Sequence, residues 1–154
     1  MPIKETFTMP TNTTALLIGG FLPAFIYGGS AIFQKLSTNL GISISMYLVA
    51  AGIGVILAGI GFYFFDNTAA FSIKASLYAG IFGLTWGIAS GLVAYSLLTF
   101  NVPISQLTPL YNMNTLVAVL LALLIFSEWK DLNTIKLILG SLLIVIGSIF
   151  VASA

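Results

Sequence analysis

Five long apolar runs, separated by short polar breaks, make up nearly all of the chain beyond its first thirteen residues. The first runs from Thr14 to about Gln34 and is closed by Lys35 and the loop Ser37-Thr38-Asn39-Leu40-Gly41. The second runs from Ile42 to Phe65, with Tyr63, Phe64 and Phe65 as an aromatic end before Asp66-Asn67. The third covers Ala75 to Phe100. The fourth begins between Pro103 and Gln106 and stops at Glu128, and the fifth covers Leu132 to Ala152. Each is about 20 residues long, enough for one helical crossing of a bilayer. Barrel strands would instead be segments of about ten residues with strict alternation. The pattern predicts an all-α integral membrane protein of five transmembrane helices with short loops. One membrane domain, residues 14–154, follows a polar N-terminal segment, residues 1–13.

Finer features sit inside this frame. Pro23 lies within the first run, flanked by Gly19, Gly20, Gly28 and Gly29. Proline is tolerated in a span and commonly kinks it. In the third run Gly80, Gly83, Gly87 and Gly91 fall on one helical stripe, the small-residue pattern that lets helices approach closely in lipid. The turn Asn101-Val102-Pro103 is short, so the third and fourth helices are expected to form an antiparallel hairpin. The fourth run opens with Gln106, Thr108, Tyr111, Asn112 and Asn114, then has no charge from Asn114 to Ser127. Amides are costly against lipid, so these groups should face protein or a water-filled cavity.

Composition narrows the function. The chain is 59% hydrophobic and 6% charged, with mean hydropathy +1.12, whereas soluble domains carry roughly a quarter charged residues. With no His and no Cys, zinc or haem sites built on those residues and disulfides are excluded. A net charge of +1 gives no electrostatic footprint for nucleic acid. No Walker motif is present, so ATP would not drive the protein directly. No second carboxylate is placed for acid/base work, so no enzyme and no cofactor is expected. The N-terminus lacks the basic region and cleavage site of a removable signal peptide. Lys4, Lys74, Lys130 and Lys136 fall on the N-terminal face of a five-span topology, and Lys35 falls on the other. The positive-inside rule then puts the N-terminus in the cytoplasm and the C-terminus outside.

The stretch from Asn101 to Ala152 resembles the end of an EamA-type domain of the drug/metabolite transporter superfamily. The likeness rests on the short turn before Pro109-Leu110-Tyr111-Asn112, the acidic Glu128 closing the fourth helix, and Gly140 and Gly147 on the last. Upstream, Tyr27-Gly28-Gly29-Ser30 before Lys35 is similar to the family's first helix. Gly83-Leu84-Thr85-Trp86-Gly87 is similar to its sugar-porter branch. Family members usually carry ten helices in two five-helix halves, and this chain supplies one half. The resemblance therefore implies a homodimer or a paired five-helix half. In inverted repeats the substrate site lies near the midplane, between the halves.

The substrate-contact candidates are Tyr111, Asn112 and Asn114, then Tyr27, Trp86 and Gln106. Each has a plainer reading. Amides commonly join membrane helices, at about 0.6 kcal/mol per hydrogen bond. Aromatics serve packing or the interfacial belt, and Gln106 and Thr108 can cap a helix. Glu128 and Lys35 read as interfacial groups at helix ends, the lysine snorkelling. The leading expectation is a transporter, or half-size transporter subunit, in the cell (inner) membrane. It would move a small metabolite or drug-like solute by alternating access, with lipid bilayer and small-molecule substrate as partners. The alternative is a non-transporting membrane assembly subunit built on its glycine faces.

Overall fold

A computed structural model of the chain describes residues 13–66, 71–130 and 132–153. The polar N-terminal segment with Lys4, and the Glu128 carboxylate, lie outside the described residues. Among the described residues the fold is all-helical, with no strand. The first span consists of α1 (Thr13–Leu16), a π-helical turn (Leu17–Phe21) and α2 (Leu22–Asn39). Helices α3 (Ile44–Tyr63) and α4 (Ile73–Thr99) are the second and third spans. The fourth is divided into α5 (Ile104–Tyr111) and α6 (Asn114–Ile125). A 3-10 turn (Glu128–Lys130) leads to α7 (Thr134–Ala152), the fifth. The shortest span has 19 residues, about 28 Å at 1.5 Å per residue, against a hydrocarbon core of about 30 Å.

Local chemistry fixes where the helices start and stop. Ser43 caps α3, its side chain accepting from the Met46 N–H at 3.3 Å. Ser72 caps α4 by accepting from Ala75, and Asn133 Oδ1 caps α7 by accepting from the Lys136 N–H at 3.1 Å. Each satisfies a backbone donor that has no partner within its helix. At the end of the first span the structure departs from the sequence reading. Lys35 does not close the helix; α2 continues one turn further, to Asn39. Thr38 permits this, because its hydroxyl folds back on the carbonyls of Gln34 and Lys35. The stop comes at Gly41, whose φ of 80° is a left-handed conformation suited to glycine, and whose N–H bonds the Thr38 carbonyl.

The chain resolves into two compact units. The first comprises the residues through Ala31 and those from Ile104 onward. Here α7 packs against both α5 and α6. Leu123 of α6 is buried, as are Ser141 and Ser148 of α7. The two serines lie seven residues apart, on one face of α7. Each hydroxyl donates to the carbonyl four residues back, Leu137 and Ile144, so neither is left polar and bare in the packing.

The second unit, Ile32–Pro103, contains the end of α2 with α3 and α4. Its closest helix approach is at Gly91, where a Cβ would lie 3.3 Å from Leu48 and 3.7 Å from Ile44. The expected glycine stripe therefore narrows to one contact. A Cβ on Gly80, Gly83 or Gly87 would meet nothing within 4 Å. Helix α3 has no buried residue at all, and Val49, Ile53, Ile56, Leu57 and Ile60 are each at least half exposed. In water that surface would cost about 25 cal/mol per Å². A helix apolar on every side is at ease in hydrocarbon, and five spans of this kind support a multi-pass membrane protein.

Two stability tests follow from these contacts. Gly91→Leu is expected to overpack against Leu48 and Ile44 and cost about 1–3 kcal/mol, while Gly80→Leu should leave the unfolding midpoint in detergent unchanged. Asn133→Ala removes the α7 cap and should cost about 1 kcal/mol in the same measurement.

Candidate functional site

Two of the five spans are interrupted, and both interruptions lie in the first unit. In the first span the chain widens into a π turn over Leu-Ile-Gly-Gly-Phe, with the Leu22 N–H bonded to the Leu17 carbonyl, five residues back. Pro23 follows and has no N–H to give, so one carbonyl in the Ile18–Gly19 turn loses its helical donor. The glycines allow the wider turn, and π turns of this kind often occur at functional sites.

The fourth span is interrupted by the same device. Pro109 sits inside α5 and leaves the Ser105 carbonyl without its usual donor. The Asn112 N–H still reaches Thr108, but the next bonds tighten to three-residue spacing, Met113 to Leu110, Thr115 to Asn112 and Leu116 to Met113. The Thr115 hydroxyl also donates to the Asn112 carbonyl at 2.9 Å. The sequence suggested one helix with a start or kink at Pro109. The structure gives two helices, with the join three residues beyond the proline.

Between these interruptions lies a cavity of about 370 Å³. The first span lines it with Gly19, Gly20, Pro23, Ala24, Tyr27 and Gly28. The fourth contributes Thr108, Tyr111 and Asn112. Tyr111 donates its hydroxyl proton to Thr108 Oγ1 at 3.3 Å, fixing the phenol along the wall. Tyr27 is 68% exposed, and Asn112 is exposed as well, so the cavity is open on one side. Both walls lie deep in their spans. Tyr27 stands 13 residues after Thr14 and 12 before Asn39, about 18–20 Å from either end at helical rise. Asn112 stands 8 residues after Ile104 and 13 before Ile125, about 12 and 20 Å from the ends.

Tyr27, Tyr111 and Asn112, three of the six sequence candidates, thus share one cavity. Asn114 is exposed at the start of α6, and Gln106 is half-buried on α5; neither lines it. Trp86 belongs to the second unit, where it borders a separate apolar cleft of about 270 Å³ with Leu48, Gly52, Gly83 and Gly87. Thr108, for which capping is the plainer sequence reading, is a wall residue and the hydrogen-bond partner of Tyr111. The glycines of the first span were read only as the surroundings of a kink. Their lack of side chains is what leaves the space open, since a Cβ on Gly19, Gly20 or Gly28 would meet nothing within 4 Å.

The wall offers hydroxyls, one amide and two aromatic rings. These groups can bind and orient a small solute. Its volume is at the small end of ligand pockets, which run from about 300 to 1,000 Å³. Compared with protein-family models, with curated proteins and with solved structures, the chain matches none.

Proposed function

We propose that the chain is a transporter half, which binds a small solute in the Tyr27–Tyr111–Asn112 cavity and passes it across the membrane by alternating access. One observation carries this reading: two interrupted spans border one cavity whose wall is partly polar and partly apolar. Irregular backbone within a span is tolerated where it is packed in protein or lines a wet cavity. Paired broken helices around a midplane site are the usual architecture of secondary transporters.

The resemblance to the drug/metabolite transporter superfamily leads to the same proposal. Five spans make one inverted half, so the working unit is a pair, formed with a second copy or with another five-helix half. The lysine bias favours a cytoplasmic N-terminus, and the cell (inner) membrane is the location this reading proposes. The second reading is an assembly subunit that docks through its glycine face. The open space beside Gly80, Gly83 and Gly87 favours it.

Flux into proteoliposomes distinguishes the two readings. The transporter reading expects saturable uptake of at least one solute from a panel of sugars, amino acids and drugs, with any partner half co-reconstituted. Gly28→Leu places a side chain in open space on the cavity wall, so it should abolish uptake without lowering the unfolding midpoint. Uptake by no solute favours the assembly subunit; uptake indifferent to Gly28→Leu would remove this cavity from the transport route. Pro109→Ala restores a helical donor to Ser105 and is expected to slow uptake while raising thermal stability. Unchanged uptake would remove that hinge from the mechanism.

A further inference from the structure

We propose that the solute of this cavity is uncharged and carries both hydrogen-bond donors and acceptors around an apolar face. The inference rests on reading the cavity as a solute site. It is tested by binding instead of flux, so the two fail separately.

Three features of the wall lead to it. First, none of the lining residues is acidic or basic. An ion placed there would lose its water and gain no opposite charge, and isolated charges are strongly penalised at such depth. A bare calcium ion needs six or more oxygens closing on it at about 2.3–2.6 Å, whereas this space is an open chamber of about 370 Å³.

Second, the break in the fourth span supplies donors and acceptors together. Helix α5 ends at Tyr111 and α6 begins at Asn114. The end of a helix carries about half a negative charge on its carbonyls, and the start of one about half a positive charge on its amides. Here the two ends are three residues apart, so their fields largely cancel over the size of a solute. What remains is local: the Asn112 amide, which both donates and accepts, and the hydroxyls of Thr108 and Tyr111. A neutral molecule with mixed polar groups uses all of them, while an ion of either sign meets as much repulsion as attraction.

Third, the rings of Tyr27 and Tyr111 give the wall flat apolar area with polar tips. They suit a solute with a ring or a face of C–H groups, its polar groups at the edge.

The test uses the full chain in lipid nanodiscs and measures saturation binding by calorimetry. The neutral probes are a hexose, a hexitol and a nucleoside. The ionised probes are a hexosamine, a hexuronate and a zwitterionic amino acid, which alter charge at similar size. At least one neutral probe should bind saturably, and its ionised counterpart should bind about tenfold or more weakly, from the unpaired-charge penalty. Gly28→Leu should abolish that binding. Asn112→Leu removes the amide without filling the space and should weaken binding about tenfold, the cost of a buried polar group left unmatched. The inference is overturned if no neutral probe saturates. It is equally overturned if an ionised probe binds as tightly as its neutral counterpart, or if binding survives both variants. Neutral binding without flux would sink the transport reading and leave this one standing; flux of an ionised solute would do the reverse.

Discussion

Hydrocarbon cannot hydrogen-bond to a peptide group, and the rest of this structure follows from that. Each N–H and C=O within a span must find a partner inside the protein. The chain meets the demand with helices along nearly all of its described length. Its hydroxyls obey the same rule. Ser141 and Ser148 turn back onto their own helix, and so does Thr38. Among the described residues no buried side-chain polar atom lacks a partner. Against that background the two proline sites stand out. Pro23 and Pro109 each withhold a donor where the solvent cannot supply one. Both interrupted spans border the same cavity.

Much of the fold was legible in the sequence because apolar length is a strong signal in a chain so poor in charge. All five spans are where the runs predicted them, within a few residues. The boundary that moved furthest, at Lys35, moved for a local reason. A lysine marks the edge of an apolar run, but the helix obeys its hydrogen bonds, and these continue until Gly41 forces a left-handed turn. The division of the fourth span was half legible. Pro109 announced an irregularity, yet the join fell at Asn112-Met113, where the backbone bonds tighten to three-residue spacing.

The cavity was harder to read. Tyr27, Tyr111 and Asn112 were singled out one by one as polar or aromatic groups in greasy surroundings. Nothing in a linear pattern says that residues more than eighty positions apart line one space. Gln106 and Asn114 had the same credentials and stand elsewhere, since each turn of a helix distributes its side chains around the axis. The glycines misled in the opposite sense. Regular spacing on α4 suggested a long helix-to-helix contact, and only Gly91 makes one within the chain. In the first span Gly19, Gly20 and Gly28 show no such spacing, yet they line the chamber.

One polar contact in the second unit ties the end of α2 to α4. Gln34, near the end of α2, donates from Nε2 to the main-chain carbonyl of Ser90 on α4 at 3.4 Å. A carbonyl already engaged in its own helix can take a second donor on its other lone pair. Sliding α2 along α4 by one residue, about 1.5 Å, would bring Gln34 opposite a different carbonyl or none. The amide therefore favours one axial register of α2 against α4.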